Sequence, residues 1–446
     1  MQGETIAAIA TPPGEGALAV IRISGEKALE VSDAVFRAVK RPSLAEERRV
    51  LFGRIVDAKG AVLDEVLLTV FRNPRSYTGE DLVEISGHGG PVVASRVLAA
   101  VLTAGARMAR PGEFTERAFH NGKLDLTQAE AVMDLIHAQT DRAAKAAAGQ
   151  LEGHLGLEIN ALRSQLLETV AHLEAFIDFP EEGIDPESGE VLRKRMESVR
   201  AHLDKLLATA NEGRLLREGI TLALCGAPNA GKSSLLNRLL GMDRAIVSEI
   251  AGTTRDTIEE CASLGGYPFR VIDTAGLRET EDPVEREGVE RARRAAEAAD
   301  LRIHLVDATE QDLPSTLFTD ELLVFNKIDL VSERGAFSKG IPISCRTGEG
   351  IEALVTAILT KATGRSPSAF TEAAPDVSAI NTRHCDCLQK ARGHLGAAIA
   401  LLESGEPPEL VAVELRTALG DVGEIVGDAG TEEILGKIFS SFCIGK

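Results

Sequence analysis

The sequence predicts a multidomain α/β and α+β protein in which an α/β domain is inserted into a helical domain. At 446 residues the chain is too long for one hydrophobic core, so about three domains are expected. Apolar residues make up 44% and charged residues 26%, the balance of a folded globular protein. Changes of pattern along the chain predict domains over 1–122, 123–216, 217–366 and 367–446, the second and fourth forming one discontinuous helical domain.

Residues 1–122 mix short apolar runs with turn signals, which indicates an α+β domain. The runs are ALAVIRI, EVLLTVF and DLVEIS, and the turns include TPPGEG, RNPRSYTGE and GHGGP. From Asp125 the pattern becomes helical, and Thr127 and Glu130 have the spacing of a capping box.

Apolar side chains at helical spacing occur on both sides of the α/β segment. Such faces are not stable in water, so the helices before and after the segment are predicted to pack together. The faces before it contain Ile159, Leu162, Leu166, Val170, Leu173 and Ile177, then Leu192, Val199, Leu203 and Leu206. Those after it contain Leu388, Leu395, Ile399 and Leu402, then Leu410, Leu415 and Leu419.

Composition limits the possible partners and compartment. A net charge of −19 disfavours binding of a polyphosphate backbone, and with no Trp and two Tyr there are few aromatic platforms for bases. Any RNA contact is expected to be local or shared. Six scattered cysteines fit a reducing compartment, and with neither a signal-peptide pattern nor a long apolar run we expect a soluble, cytoplasmic protein.

The α/β segment carries a phosphate-binding loop. GAPNAGKS, from Gly226 to Ser233, matches G-x-x-x-x-G-K-[ST] between the apolar strand ITLALC and the helix SLLNRLL. Gly226 and Gly231 let backbone N–H groups turn toward phosphates, Lys232 can reach the β- and γ-phosphates, and the Ser233 hydroxyl can bind Mg²⁺. This pattern predicts a Ras-like P-loop domain.

Three later motifs predict that the nucleotide is GTP. Asp273 and Gly276 of DTAG follow a buried strand, where they would orient Mg²⁺ and face the γ-phosphate. In NKID, the Asp329 carboxylate can accept hydrogen bonds from guanine N1–H and the 2-amino group, which adenine cannot supply. SCRTG follows the strand GIPI, where such proteins contact guanine O6 through backbone N–H groups.

Ordinary turns at strand ends are the alternative, but four such elements stand here in the order that a GTP site requires. The predicted GTP-binding residues are Asn229, Ala230, Gly231, Lys232, Ser233, Ser234, Asp273, Gly276, Asn326, Lys327, Asp329, Ser344, Cys345 and Arg346.

The residue after DTAG departs from the pattern of many GTPases. They have Gln at this position to orient the attacking water, whereas this chain has Leu277, whose apolar side chain cannot do so. The alternative to a catalytic role for the acids that follow is a solvated acidic loop. The candidates are Glu279, Glu281, Asp282 and Glu285.

Several long motifs resemble the MnmE (TrmE) family of tRNA modification GTPases over essentially the whole chain. They are TPPGEGALAVIRISG, YTGEDLVEISGHGGP, RPGEFTERAFHNGKLDLTQAEA, GAPNAGKSSLLN, IAGTTRD, DTAGLRE and FCIGK. The resemblance implies a GTPase domain inserted into a helical domain. It also implies an N-terminal α+β domain that binds a tetrahydrofolate derivative, 5-formyl- or 5,10-methylene-tetrahydrofolate, and dimerises.

The resemblance assigns residues outside the P-loop as well. Arg22, Glu84, Lys123 and Lys446 would lie at the folate site, with surface ion pairs as the alternative. Cys443 in FCIGK would take part in the modification chemistry, and the alternative is a free thiol without a role.

Within the GTPase domain the resemblance implies two metal ions and a catalytic acid. Glu285 would position the hydrolytic water and is predicted to be catalytic together with Lys232 and Cys443. Ser233 and Thr254 would bind Mg²⁺. The predicted K⁺ ligands are Asn229, for which an N-cap or turn role is the alternative, and Ser248, Ile250 and Thr253.

The family acts as a homodimer with the FAD-containing partner MnmG (GidA) on C5 of the wobble uridine of certain tRNAs. The resemblance therefore implies a K⁺-stimulated GTP hydrolase in tRNA modification, with tRNA bound mainly through the complex and FAD present only in the partner. A regulatory GTPase with scaffold domains, for example in ribosome assembly, is one alternative. A folate-dependent transferase that acts without MnmG is another.

Overall fold

The computed structural model describes residues 3–178, 189–242, 259–273, 298–310, 321–331, 337, 340–365, 380–428 and 432–446. The chain divides into two compact units, Met1–Met133 with Gly423–Lys446, and Asp134–Val422. In the described part of the chain, no helix combines the length and the apolar character that a membrane span requires.

The described elements include strands and helices in both units. The strands are β1 Ile6–Ile9, β2 Leu18–Ser24, β3 Phe36–Arg37, β4 Val50–Val56, β5 Val62–Phe71, β6 Leu82–His88, β7 Arg107–Met108, β8 Ile220–Gly226, β9 Glu259–Leu264, β10 Tyr267–Asp273, β11 Leu301–Asp307, β12 Glu321–Asn326 and β13 Ile341–Pro342. The helices are α1 Ala28–Val35, α2 Pro91–Thr103, α3 Glu113–His120, α4 Leu126–His137, α5 Asp141–Leu151, α6 His154–Asp178, α7 Gly189–Glu218, α8 Lys232–Leu240, α9 Ile351–Thr363, α10 Thr382–Glu403, α11 Pro408–Val426 and α12 Glu432–Ser440.

The first unit is built on a mixed sheet with the strand order β3-β4-β5-β6-β2-β1-β7. Alternate side chains of β2, including Ile21 and Ile23, are buried and belong to one core with residues of α2 such as Val97. Because side chains alternate along a strand, Arg22 points to the other face of the sheet. The antiparallel register of β2 and β6 pairs Arg22 with Glu84.

The start of α4 differs from the sequence prediction. Asp125 Oδ1 accepts from the Gln128 N–H (2.9 Å), and Gln128 Oε1 accepts from the Asp125 N–H (3.0 Å). This reciprocal pair is a capping box in which Asp125 is the N-cap residue and Gln128 is at position N3. The box predicted at Thr127 and Glu130 is therefore wrong, since Thr127 already lies within the helix and donates its hydroxyl to Asp125 (2.6 Å).

In the second unit, helices that flank the α/β sheet in sequence pack together. α7 lies along α10, with Leu203, Leu388 and Leu395 buried, which confirms the predicted apolar faces. Leu410 is an exception, because it is 47% exposed. The buried face of α11 runs through Val411, Leu415, Ala418 and Val422 instead, about a quarter turn away.

A mixed sheet with the order β13-β12-β11-β8-β10-β9 forms the core of the α/β part. Every described pairing is parallel except that of β9 with β10. Strand β8 lies between β10 and β11, so later strands of the chain occupy both of its sides, and a crevice forms at its carboxyl end. The carboxyl ends of these strands bring four residues to one edge: Gly226, Asp273, Asp307 and Asn326.

A buried carboxylate connects the α/β sheet to the helices of the same unit. Glu212 of α7 accepts from Arg365 Nη1 (2.8 Å), from the Tyr267 hydroxyl (3.0 Å) and from Arg142 of α5. The Arg142 guanidinium also lies 4.4 Å from the centroid of the Tyr267 ring.

The order of the elements and the two sheets confirm the predicted fold class, with α+β, helical and α/β parts in the expected order.

Candidate functional site

The phosphate-binding loop joins β8 to α8 and depends on two glycines. Gly226 has φ 136°, and a Cβ there would lie 2.2 Å from the Leu305 carbonyl oxygen. Gly231 has φ 99°, and its Cβ would lie 2.2 Å from Asn326 Nδ2. Both the left-handed conformation and the close approach exclude a side chain. Asn229 also adopts a positive φ of 66°, which Asn tolerates better than most residues.

Lys232 begins α8 and is 7% exposed. Its ammonium donates to the carbonyl oxygens of Gly226 (2.7 Å) and Ala227 (2.9 Å), both in its own loop. The loop and the strand ends enclose a cavity of about 890 Å³, which Lys232, Ser233 and Asp329 help to line. This volume suits a nucleotide-sized ligand.

Asn326 connects the phosphate-binding loop to the loop after β13. Its side chain is buried, and Nδ2 donates to the Ala230 carbonyl (2.9 Å). Oδ1 accepts from the Cys345 N–H (3.1 Å). One amide therefore holds both loops, so the predicted Asn326 and Cys345 are brought together.

The predicted guanine acceptor, Asp329, is oriented by a neighbouring loop. The Ser344 hydroxyl donates to Asp329 Oδ1 (2.7 Å) and accepts from the Thr347 N–H (3.1 Å). Arg346 Nε lies 3.8 Å from Asp329 Oδ2, but the Arg346 side chain is 81% exposed. Ser344 is fully buried, so its hydroxyl fixes the carboxylate at the cavity wall.

Asp307, which the sequence analysis does not identify, holds Lys327, a residue that lines the cavity. Its Oδ2 accepts from Lys327 Nζ (2.6 Å), and its Oδ1 accepts from the Thr309 N–H (2.9 Å) and hydroxyl (2.7 Å). Burial raises the pKa of Asp307, but the hydrogen bonds from Lys327 and Thr309 outweigh burial and lower it. The sequence feature that could have identified Asp307 is its position at the end of an apolar strand, which it shares with Asp273.

The close contact at Gly231 makes a direct prediction. Gly231→Ala is expected to displace Asn326 and weaken guanine-nucleotide binding at least tenfold, because the added Cβ would overlap Asn326 Nδ2. Equilibrium titration with a fluorescent GDP analogue measures this. The matched control is Gly393→Ala, since a Cβ on this helical glycine meets nothing within 4 Å and should leave binding unchanged. Equal affinities for the two variants would contradict the role of the Gly231 contact.

A second cluster lies in the first unit and contains three of the four predicted folate residues. Arg22 donates to Glu84 Oε1 through Nε (3.0 Å) and Nη2 (2.8 Å), and its Nη1 donates to the Gly445 carbonyl (3.4 Å). Burial and the nearby Arg22 charge lower the pKa of Lys446, although Glu84 and Cys443 oppose this. Arg22, Glu84 and Lys446 therefore form one cluster.

The remaining residues predicted for this region make other contacts. Lys123 is exposed, and its ammonium donates to the Pro74 carbonyl (3.1 Å). Cys443 is exposed, and its carbonyl accepts from the Gly112 N–H (3.4 Å).

For Asp273 the structure describes the strand position at the end of β10 but not the side chain. Several other predicted residues lie outside the described part of the chain. They are Gly276, Thr254, Ser248, Ile250, Thr253 and Glu285, together with Leu277, Glu279, Glu281 and Asp282.

Two family models match the chain. The model of the MnmE helical domain matches residues 126–443, and that of the GTP-binding protein TrmE N-terminus matches residues 5–123. Among solved structures, the G domain of the T. maritima FeoB iron transporter is 26% identical, covering 32% of this chain and 98% of that one, with a TM-score of 0.24.

Relatives resemble the chain from end to end. The tRNA modification GTPase MnmE of Akkermansia muciniphila is 48% identical over 451 residues, which covers 99% of each chain. The protein of the same name from a Roseiflexus species (strain RS-1) is 45% identical over 466 residues, again 99% of each chain. Since family models and full-length relatives agree, the chain belongs to the MnmE family of tRNA modification GTPases.

Proposed function

We propose that this protein is a K⁺-stimulated GTP hydrolase that acts with MnmG on C5 of the wobble uridine of certain tRNAs, adding an aminomethyl or carboxymethylaminomethyl group. The one-carbon unit would come from 5-formyl- or 5,10-methylene-tetrahydrofolate. The observation that carries the proposal is the nucleotide site, in which Ser344 orients Asp329 and Asn326 joins the two loops. These groups suit the N–H donors of guanine.

The P-loop lysine supplies positive charge to the transferred phosphoryl group. When GTP binds, the Lys232 ammonium is expected to exchange the Gly226 and Ala227 carbonyls for β- and γ-phosphate oxygens. Negative charge on these oxygens increases in the transition state, so a positioned ammonium lowers the barrier. Lys327, held by Asp307, would cover one side of the nucleotide.

Oxygen ligands for two cations are proposed around the same cavity. Ser233 and Asn229 both line the cavity, and hydroxyl and amide oxygens are suitable ligands for hard cations. Bound Mg²⁺ and K⁺ would neutralise charge that develops on the phosphates. Thr254 would complete the Mg²⁺ set and Ser248, Ile250 and Thr253 the K⁺ set, with Glu285 positioning the water.

This proposal predicts a cation effect on catalysis. GTP turnover by the purified protein is expected to be at least tenfold faster in KCl than in NaCl at equal ionic strength. The Glu285→Ala variant should lose at least 100-fold in kcat, because general acid–base groups contribute about 10²–10⁴-fold. Phosphate release, measured at saturating GTP, reports both effects.

The control for this experiment is Glu279→Ala, which removes a neighbouring acid of the same sequence segment and should leave kcat within about twofold of the parent protein. Equal turnover in both salts, with full activity of Glu285→Ala, would contradict the proposal and favour a generic regulatory GTPase.

The Arg22, Glu84 and Lys446 cluster supports the folate part of the proposal. A folate presents a carboxylate tail for the basic groups and pterin N–H donors for the acid. Lys123 is proposed as a fourth contact, and Cys443 as a participant in the modification chemistry. Binding of 5-formyl-tetrahydrofolate by the purified protein separates this function from a scaffold role in ribosome assembly.

The proposed domains are 1–122, 123–216, 217–366 and 367–446. A homodimer is proposed that forms through the first of these, the N-terminal domain. Phe52 and Leu67 pair across β4 and β5 and are 68% and 48% exposed, which supports an apolar contact surface there. With a net charge of −19, tRNA would bind mainly through the complex with MnmG, in the cytoplasm.

A further inference from the structure

Glu113, in the first turn of α3, is a buried carboxylate surrounded by arginines. Its side chain is 3% exposed and pairs with Arg107 through both oxygens (2.8 and 2.6 Å) and with Arg117 (3.0 Å). It also accepts from the Arg110 N–H (2.9 Å). Burial raises the pKa of Glu113, but these hydrogen bonds outweigh burial and lower it to about 2. The group is therefore ionised at neutral pH.

The loop that Glu113 holds, residues 110–114, receives the C-terminal tail, residues 443–446. Gly112 N–H donates to the Cys443 carbonyl (3.4 Å), and Phe114 N–H donates to the Lys446 carbonyl (3.3 Å). Pro111 and Ile444 form an antiparallel bridge next to the first of these bonds. The tail is thus added to the loop like a short strand.

A glycine in the loop and another in the tail each pack closely against a neighbouring element, α12 and β1 respectively. Gly112 has φ 67°, and a Cβ there would lie 2.5 Å from the Phe439 carbonyl oxygen. Gly445 has φ 101°, and its Cβ would lie 2.4 Å from the Ile9 carbonyl oxygen. Loop and tail each have little space in which to shift, so the backbone bonds between them depend on the loop keeping its position.

The docked tail in turn completes the Arg22 cluster. Gly445 accepts a hydrogen bond from Arg22, whose guanidinium lies 5.6 Å from the centroid of the Phe114 ring. Lys446 is close enough to Arg22 and Glu84 for their charges to change its pKa. Contacts thus continue from Glu113 through the loop and the tail to this cluster.

We propose that Glu113 is a positioning residue for the folate site, because its carboxylate fixes the loop 110–114 on which the tail carrying Cys443 and Lys446 docks. The inference rests on the proposed function, since it takes the Arg22 cluster as the site of the one-carbon donor. Glu113 acts through the loop and contacts no reacting atom.

The test compares Glu113→Gln with Glu116→Gln in the full-length protein. Glu116 lies on the same helix, and its side-chain contact among the described residues is a 2.9 Å ion pair with the half-exposed Arg110. In Glu113→Gln, amide hydrogen exchange in peptides covering 439–446 is expected to rise at least tenfold, and the Kd for 5-formyl-tetrahydrofolate to rise at least tenfold. Neither should change in Glu116→Gln. GTP turnover should be unchanged in both variants.

Two outcomes would overturn the inference: parental tail exchange in Glu113→Gln, or a released tail with unchanged folate affinity. If Glu113→Gln does not fold, Glu113→Asp keeps the charge but shortens the reach to the Arg110 N–H, and exchange should then rise by a smaller factor. Unchanged exchange there overturns the inference too. A parent protein that binds no folate would instead contradict the proposed function, while tail exchange would still report whether Glu113 holds the tail.

Discussion

Asp329→Asn is expected to lower the affinity for GTP by about 10²–10⁴-fold. The carboxylate would accept two hydrogen bonds from guanine, and a hydrogen bond to a charged group contributes about 1.5–3 kcal/mol. An amide nitrogen cannot accept these bonds, so a guanine donor would be left unpaired. Isothermal titration of the parent and variant proteins with GDP and GTP measures the loss.

The same substitution should raise the affinity for XTP, because xanthine has a carbonyl where guanine has its 2-amino group. The amide introduced by Asp329→Asn could keep its oxygen toward the N1–H of the base and donate its N–H to that carbonyl. Ser344→Ala is the matched control, since it removes the hydroxyl that orients Asp329 but keeps the carboxylate. It should cost only about 0.5–1.5 kcal/mol of GTP affinity, without a gain for XTP. An Asp329→Asn protein that still prefers GTP would mean that this carboxylate does not read the base.

Glu212→Ala is expected to lower the free energy of unfolding of the second unit by about 3–5 kcal/mol. The substitution removes the acceptor shared by Arg142, Arg365 and the Tyr267 hydroxyl, in a site where the Glu212 side chain is 9% exposed. Two cations would then be left without their counter-charge. Urea unfolding followed by circular dichroism measures the change in stability.

Glu218→Ala controls for the loss of an acid from the same helix. Glu218 is 48% exposed and lies 3.6 Å from Arg214, so its removal should cost less than about 1 kcal/mol. If the two variants unfold at the same urea concentration, then water or other groups compensate the charges of Arg142 and Arg365. Glu212 would then not stabilise the contact between the α/β sheet and the helices.

The positions of the nucleotide-binding motifs were predictable because they end parallel strands. Sequence alone indicates that Asp273 and Asn326 follow apolar strands, and the carboxyl ends of parallel strands meet at one edge. Asp307 could not be identified as a partner of Lys327, since that pair depends on the register of β11 and β12. Neither could the Arg22–Glu84 pair, which depends on the register of β2 and β6.

Local chemistry was harder to predict than topology. The sequence predicts the capping box two residues late, because Thr127 and Glu130 satisfy the same spacing rule as Asp125 and Gln128. The residue at which the helix begins distinguishes the two pairs. The spacing also predicts that Leu410 is buried, but a small rotation of the helix about its axis buries Val411 in its place. Ser344 was predicted to lie near the base, but its bond to Asp329 required the folded loop.

The double role of the Asn326 amide has a thermodynamic consequence. Since its two ends hold the loop for the phosphates and the loop for the base, ordering either loop helps to order the other. The free energies with which a guanosine and a triphosphate bind separately should therefore not sum to that of GTP. The difference is a coupling free energy, and by linkage it is the same whichever fragment binds first.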